Sequence, residues 1–291
     1  MLKIGVIGTE NSHALAFAQI INLPDPISGK MLYPDVRVVG SYGPDVETAQ
    51  AIVDKGGAEF VASTPNDFFG KVDAMMITNR KGSLHTQYAM PFIEKGMPMF
   101  IDKPFTSCVV EAEMLVAAAK KSGSLIVGGS GCKMPYDIQT LAYNVREMRA
   151  HDSIISASMN FAADPDSEYD GFFFYSPHLT EMALEVFGPD VKSVVTLEKE
   201  KSRISIWRYD KFDVALHYTK NSTDVSAIIY GKNKNVMRNI DSSMAYGMEV
   251  KQFVTMLRTK EMPYCYEKLV MPVRMIAAVE ESVKTGKEVF L

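Results

Sequence analysis

The segment Ile4-Gly5-Val6-Ile7-Gly8-Thr9-Glu10-Asn11-Ser12-His13 joins a short apolar run, a glycine and a polar stretch. The apolar run is typical of a buried strand, and apolar residues recur at helical spacing from Ala14 to Ile21. A strand that leads through a glycine turn into a helix is the repeating unit of open α/β sheets. The segment therefore predicts the first strand, turn and helix of an open α/β sheet.

The same alternation continues to about residue 130. Apolar runs that predict further strands begin at Val36, Ala74, Met97 and Leu125. Helical spacing occurs between them in Val46 to Lys55, Leu84 to Lys95 and Val109 to Lys121. Because right-handed crossovers place helices on both faces of such a sheet, we predict a Rossmann-like α/β domain over residues 1–130.

Beyond residue 130 the pattern changes to period-2 alternation, which is clearest from Asp213 to Tyr218. Such alternation favours an antiparallel sheet with one covered face. Helical spacing predicts covering helices at Tyr136 to Ala150, Pro177 to Phe187, Tyr246 to Thr259 and Leu269 to Thr285. We predict that residues 131–291 form an α+β domain with a mostly antiparallel open sheet.

Composition narrows the class of protein. The 291 residues are 47% apolar and 23% charged with a formal net charge of −4, which suits two globular domains and argues against a nucleic-acid partner. The sequence has no apolar run of about 18 residues and no secretory signal pattern, so no membrane association is expected. Three scattered cysteines fit a reducing compartment, and we expect a cytoplasmic protein.

The glycine turn supplies the first candidate cofactor-binding residues, which are Gly8, Thr9, Asn11 and Ser12. Gly8 suits a tight turn, and polar groups at a helix start hydrogen-bond phosphate. Glu10 departs from the dinucleotide fingerprint, which has glycine there. A carboxylate about 4 Å from a phosphate charge costs roughly 4 kcal/mol at an effective dielectric of 20. Either Glu10 turns away from the cofactor, or cofactor binding is weak or altered.

Further candidates follow the next strands. Dinucleotide folds place an acid after the second strand for the ribose hydroxyls, but here Ser41 ends that strand and Asp45, which follows late, is a better helix cap. Ser41 is a candidate for binding ribose or a 2′-phosphate, so NAD and NADP both stay open. Thr78 and Asn79 follow the strand that begins at Ala74 and complete the predicted cofactor edge, whereas His85 is expected to be a structural hydrogen-bonding residue.

Met99-Phe100-Ile101-Asp102-Lys103-Pro104-Phe105 ends an apolar run with an acid, a lysine and a proline. A lysine at the carboxyl end of a buried parallel strand points into the crevice where open α/β sheets bind ligands. Pro104 ends the strand and fixes the backbone behind the lysine. The alternative is a solvated loop lysine.

A second segment places a histidine at a helix start. Ser176 is a suitable N-cap and Pro177 a suitable first helical residue, so His178 lies in the first turn. The positive end of the helix dipole disfavours an imidazolium there, and a neutral imidazole suits a general base. A histidine that merely bonds a carbonyl is the alternative. No metal site is predicted, because nothing completes a ligand set around His178 and Glu181.

Together these segments resemble the glucose-fructose oxidoreductase and inositol dehydrogenase family, Gfo/Idh/MocA. The resemblance runs from the turn at Lys3 to His13, through Asp102-Lys103-Pro104 in place of Glu-Lys-Pro, to the histidine segment that ends at Gly188. It implies a Rossmann domain followed by an α+β domain whose open sheet forms a homo-oligomer, a dimer or tetramer. It also implies reversible hydride transfer between NAD or NADP and a hydroxyl carbon of a sugar or polyol.

The resemblance also implies roles for individual residues. Lys103 would stabilise the developing alkoxide, His178 would take or return the proton, and Asp102 would join the cofactor edge. In the histidine segment, Phe174 stands where the family has its first acid, and Glu181 stands at the second.

Three residues are candidates for substrate contact: Lys133, Tyr175 and Glu181. The loss of the first acid leaves three hypotheses open for the activity. The leading one is an NAD(P)-dependent oxidoreductase. The others are a nicotinamide-assisted lyase or glycosidase, and a non-catalytic sugar-binding or regulatory protein.

Overall fold

The computed structural model describes residues 1–291. The helices are α1 (Ser12–Asn22), α2 (Val46–Asp54), α3 (His85–Ile93), α4 (Val109–Ser122), α5 (Tyr136–Ala150), α6 (Ser176–Phe187), α7 (Ala245–Thr259) and α8 (Glu267–Thr285). The strands are β1 (Leu2–Ile7), β2 (Val36–Tyr42), β3 (Phe60–Val61), β4 (Ala74–Ile77), β5 (Met99–Ile101), β6 (Ile126–Gly128), β7 (Ile154–Ala162), β8 (Ser193–Lys199), β9 (Ser202–Arg208), β10 (Asp213–Thr219), β11 (Ser226–Gly231), β12 (Val236–Asn239) and β13 (Val289–Phe290).

The chain divides into two units, and each unit is built from two separate segments of the chain. The first unit contains Met1–Gly129 and Tyr246–Val270, and the second contains Ser130–Ala245 and Met271–Leu291. The sequence pattern predicted that every residue after 130 belongs to the second domain. Residues Tyr246–Val270 instead belong to the first unit. The apolar face of a helix shows that the helix is covered, but it does not show which sheet covers it.

The first unit holds a parallel sheet with the strand order β3-β2-β1-β4-β5-β6. This is the doubly wound sheet that the sequence predicts, so the predicted Rossmann fold class is confirmed. The two-residue strand β3 was not predicted, since it is too short to show a period. The strand order reverses between β1 and β4, and open α/β sheets bind ligands at the carboxyl ends of the strands at such a point.

Helix α7 completes the core of the first unit. Its Phe253 ring lies 5.9 Å from the Phe100 ring of β5, which in turn lies 5.3 Å from Phe17 of α1. All three rings are at most 2% exposed. The segment after residue 245 therefore contributes to the same apolar core as the strands of the parallel sheet.

The second unit contains a seven-stranded sheet with the order β12-β11-β7-β10-β9-β8-β13. The pair β7 and β10 is parallel and the other pairs are antiparallel, which confirms the predicted mostly antiparallel sheet. One face buries Trp207, Val214 and Leu216 together with Leu179 and Met182 of α6. The edge strands β12 and β13 were not predicted. No helix in either unit has the length and hydropathy needed to cross a membrane.

Gly8 forms the turn that ends β1. Its φ is +101°, and its amide donates to the carbonyl of Tyr42 at 2.9 Å. A Cβ atom at this position would lie 2.2 Å from the backbone nitrogen of Asn79. The turn thus requires glycine both for its dihedral angle and for the approach of the neighbouring backbone.

We expect Gly8→Ala to lower the free energy of unfolding by at least about 2 kcal/mol, because backbone atoms cannot rotate away from the added methyl group. Urea denaturation measures the difference. The control is Gly247→Ala in α7, where a Cβ meets nothing within 4 Å, and a gain of about 0.5–1 kcal/mol is expected. Equal stability of Gly8→Ala and the wild type would show that the turn relaxes.

Candidate functional site

Asp102 links the end of β5 to the start of α1. Its Oδ2 atom lies 2.6 Å from Nδ1 of His13 and 3.3 Å from Nδ2 of Asn11, while Oδ1 accepts the backbone N–H of Lys103 at 2.6 Å. The carboxylate is fully buried. Burial raises the pKa of Asp102, but the charges and hydrogen bonds of His13 and Lys103 outweigh it, so the pKa lies below its usual value of 3.8. Asp102 is therefore an anion that joins two predicted parts of the site.

Lys103 follows directly and is only 3% exposed. A solvated loop lysine would be largely exposed, so burial contradicts that alternative. His13, the third side chain of this cluster, was not predicted from the sequence. Its ring packs 4.6 Å from Tyr246 of α7 and 5.6 Å from Phe17.

Two of the predicted cofactor residues use their hydroxyl groups inside the protein. The Thr78 hydroxyl donates to the carbonyl of Ile7 at 3.0 Å, and the Thr9 hydroxyl lies 3.0 Å from the hydroxyl of Thr48. Both side chains are buried. They shape the turn after β1, whereas Ser12 is exposed at the first residue of α1.

The end of β2 also differs from the expectation. Ser41 is fully buried and its hydroxyl donates to the carbonyl of Ala49 at 2.9 Å, so the side chain faces helix α2. Asp45 caps α2 by accepting the N–H of Glu47 at 2.9 Å. We therefore do not retain Ser41 as a cofactor-binding residue, because its only donor hydrogen is already used.

Glu10 turns toward the loop after β4. Its Oε1 atom accepts hydrogen bonds from Nδ2 of Asn79 at 3.0 Å and from the N–H of Arg80 at 3.3 Å. Oε2 of Glu10 and Oδ1 of Asn79 are buried and have no hydrogen-bond partner. Glu10, which replaces the fingerprint glycine, is thus held by hydrogen bonds beside the point where the strand order reverses.

His85 is a structural residue, as expected. Its Nε2 atom lies 2.8 Å from the carbonyl of Asn79 and its Nδ1 atom 3.3 Å from that of Phe105. The ring is fully buried, and burial lowers the pKa of His85 below its usual value of 6.5. The imidazole connects the segment after β4 with the segment after Lys103.

In the second unit, Ser130 and three predicted residues form one hydrogen-bonded group. The Nδ1 atom of His178 lies 2.7 Å from the Ser130 hydroxyl, and Oε1 of Glu181 accepts the Ser130 N–H at 2.7 Å. Oε2 of Glu181 accepts Nζ of Lys133, also at 2.7 Å. Glu181 is 4% exposed, so the pair with Lys133 is shielded from water on the acid's side.

Aromatic rings occupy the region of the missing acid. Phe174 lies 4.8 Å from Tyr169 and 5.0 Å from Tyr175, and the Tyr175 ring lies 5.1 Å from that of His178. These three aromatic residues line a cavity of about 510 Å³ whose other walls include Asp164, Asp166, Glu168 and Asn221.

The start of α6 corrects one expectation. Tyr175, not Ser176, is the N-cap, and Ser176 is the first helical residue. The Ser176 hydroxyl is buried without a hydrogen-bond partner. His178 still lies in the first turn, because the shift is a single residue.

Comparison with known proteins agrees with this geometry. Residues 2–129 match the sequence model of the Gfo/Idh/MocA family, described as an oxidoreductase family with an NAD-binding Rossmann fold. These residues are a Gfo/Idh/MocA domain. The match confirms the resemblance seen in the sequence, the oxidoreductase class and the nicotinamide cofactor, for which the family description names NAD. None of the curated proteins that were searched matches the chain.

Solved structures extend the likeness beyond the Gfo/Idh/MocA domain. A probable dehydrogenase from Thermotoga maritima is 15% identical, with a TM-score of 0.83 over 99% of this chain and 98% of that chain. Myo-inositol dehydrogenase from Lactobacillus casei, in complex with NAD(H) and myo-inositol, is 13% identical, with a TM-score of 0.82 over 100% and 97%. A myo-inositol dehydrogenase from Corynebacterium glutamicum is 17% identical, with a TM-score of 0.79 over 100% and 99%. At such identities the likeness shows the fold.

The residues of the turn fit a dinucleotide. Gly8 forms the tight turn between β1 and α1, and Ser12 is exposed at the start of α1. The two unpartnered acceptors on Glu10 and Asn79 are matched by groups that donate hydrogen bonds. The candidate cofactor residues of this domain therefore do not include Ser41.

The free energy of unfolding should fall as the pH drops below about 6.5 through the folded pKa of His85, because the unfolded chain then binds a proton that the buried ring resists. The slope contributed is at most about 1.4 kcal/mol per pH unit. Urea denaturation between about pH 7 and pH 5 should give a smaller slope for His85→Gln than for the wild type. The exposed His151 supplies the control His151→Gln, which should keep the wild-type slope. Parallel slopes for all three proteins would contradict the effect of burial.

Proposed function

We propose that this protein is an NAD-dependent dehydrogenase that oxidises a hydroxyl carbon of a sugar or polyol-like substrate. The observation that carries the proposal is the burial of Lys103 beside Asp102, whose carboxylate also binds His13 and Asn11 of the nucleotide turn. A lysine that is buried at the carboxyl end of β5 contributes little to solubility, so its ammonium group is better explained by ligand binding. The similar fold of the Lactobacillus casei enzyme, whose structure holds NAD(H) and myo-inositol, supports the same substrate class.

Lys103 is proposed to bind the reacting hydroxyl group. NAD, when bound, supplies the hydride acceptor, and the chain's residues handle the proton and the charge on oxygen. An ammonium group that faces the oxygen stabilises the negative charge that develops as the hydroxyl proton leaves. Asp102 holds the Lys103 backbone in place through its 2.6 Å hydrogen bond.

His178 is proposed to take and return that proton. The Ser130 hydroxyl oxygen accepts the N–H of Cys132 at 3.2 Å and lies 2.7 Å from Nδ1 of His178. In the tautomer in which Nδ1–H donates to Ser130, Nε2 is the basic nitrogen of the ring. Ser130 therefore orients the imidazole, a role that a carboxylate often has beside a histidine that transfers protons.

The remaining candidates are proposed to hold the substrate. The Lys133–Glu181 pair offers a donor and acceptors for hydroxyl groups, and Tyr175 flanks His178 with its ring. The cavity beside Phe174 and Tyr175 combines aromatic faces with carboxylates. Sugars and polyols present both C–H faces and hydroxyl groups, so this lining suits them without the acid that Phe174 replaces.

We expect Lys103→Met and His178→Asn each to lower turnover at least about 100-fold, since each removes a proton-handling or charge-stabilising group. Reduction of NAD is followed by absorbance with a panel of inositols and aldoses. NADH affinity, measured by fluorescence titration, should change less than threefold, because neither group is proposed to bind NAD. The matched controls Lys95→Met and His151→Asn alter exposed residues and should keep full activity. A fully active Lys103→Met protein would refute the role of the lysine.

We also propose that the open face of the second sheet pairs with a second copy of the chain. Leu197, Ile204 and His217 form one cross-strand row on this face, and Leu197 is 67% exposed. The opposite face of the same strands is buried against helices. Two apolar side chains in one row of an open sheet face suit a self-complementary contact.

Light scattering coupled to size exclusion should give the mass of a dimer or tetramer for the wild type. Leu197→Glu should shift the mass toward the monomer, because a charge at the exposed row disfavours burial. Leu32→Glu, which alters an exposed leucine of the first unit, should leave the mass unchanged. A monomeric wild type would rule out this assembly.

A further inference from the structure

Two buried acceptor atoms on Glu10 and Asn79 lack donors although their side chains are tightly placed. Oε1 of Glu10 and Nδ2 of Asn79 are joined by a hydrogen bond of 3.0 Å. This bond holds the other two atoms, Oε2 and Oδ1, in buried positions where neither has a partner. Burying an acceptor without a donor costs free energy, so such pairs need an explanation in a folded protein.

The location of the pair indicates a ligand. Glu10 follows β1 and Asn79 follows β4, and these two strands are neighbours in the parallel sheet. The strand order reverses between them, which is where open α/β sheets bind their ligands. The two acceptor atoms on Glu10 and Asn79 require hydrogen-bond donors from the ligand. A phosphate does not fit them, because a phosphate ionised at neutral pH presents acceptors and negative charge.

The usual ribose acceptor is missing from the end of β2 in this chain. Dinucleotide folds place an acid at the end of the second strand to accept hydrogen bonds from ribose hydroxyls. Here the Ser41 hydroxyl donates to Ala49, and the Asp45 carboxylate caps α2 through Glu47. Asp45 follows β2 by three residues and caps the next helix, so the end of β2 itself carries no acid for a ribose.

We propose that Glu10 and Asn79 together accept hydrogen bonds from the hydroxyl groups of a ribose of the nicotinamide nucleotide. The inference rests on the proposed NAD-dependent function and deepens it. Two neighbouring hydroxyls supply two donors for the two unpartnered atoms. Glu10 then strengthens cofactor binding, which is the opposite of the repulsion that its place in the turn suggests.

The decisive measurement is the affinity for NADH, determined by fluorescence titration of the purified full-length protein. We expect Glu10→Ala to weaken NADH binding at least tenfold, because it removes a charge-assisted hydrogen bond. Glu94→Ala makes the same change of net charge at an exposed residue after α3 and should alter the affinity less than twofold. Unchanged or tighter binding by Glu10→Ala overturns the proposal.

A second variant guards against misfolding. Glu10→Gln keeps the shape of the side chain and removes its charge, so it should also weaken NADH binding, by at least threefold. Thermal melting of each variant identifies any loss of folding. If Glu10→Ala does not fold, the sign of the change in Glu10→Gln decides between ribose binding and repulsion.

Mononucleotides distinguish the two riboses. AMP carries the adenosine ribose and nicotinamide mononucleotide carries the other, and calorimetry gives the affinity of each for the wild type and Glu10→Ala. A loss for one of them supports the proposal and identifies the ribose, whereas a loss for neither overturns it. Wild-type protein that binds no NADH overturns the proposed function and this inference together, while NADH binding that Glu10→Ala leaves unchanged overturns the inference alone.

Discussion

The first unit depends on one buried carboxylate. Asp102 accepts hydrogen bonds from the side chains of His13 and Asn11 at the start of α1 and from the backbone of Lys103 at the end of β5. Breaking a buried, hydrogen-bonded charge pair costs several kcal/mol, so these groups cannot move apart independently. The turn that faces the nucleotide and the lysine that is proposed to face the substrate hydroxyl therefore keep a common geometry.

The sequence predicted those features that follow from residue type and order. Gly8 in its turn, Asp45 as a helix cap and the burial of Lys103 each reflect a local requirement or the known edge of a parallel sheet. The bond between His13 and Asp102 joins residues 89 positions apart. No local pattern shows which side chain at the start of a helix meets a residue at the end of a distant strand, so His13 was missed.

The direction in which a hydroxyl group points could not be predicted from the sequence either. Ser41 and Thr78 lie at the ends of the right strands, yet both donate to backbone carbonyls within the protein. Whether such a side chain faces a ligand or a neighbouring element depends on the twist and register of the sheet, which composition does not encode. Glu10 was recognised as unusual for its charge, whereas its partner Asn79 became evident only from the structure.

The return of the chain to the first unit has a consequence for how the protein is made. The ring of Phe100 is covered in part by Phe253 and that of Phe17 by Tyr246, and both of these residues lie in the segment Tyr246–Val270. During synthesis the nucleotide-binding sheet emerges early, but its apolar face is completed only after the second sheet has left the ribosome. The two units thus mature in an interleaved order, and a fragment that stops at residue 129 exposes an incomplete core.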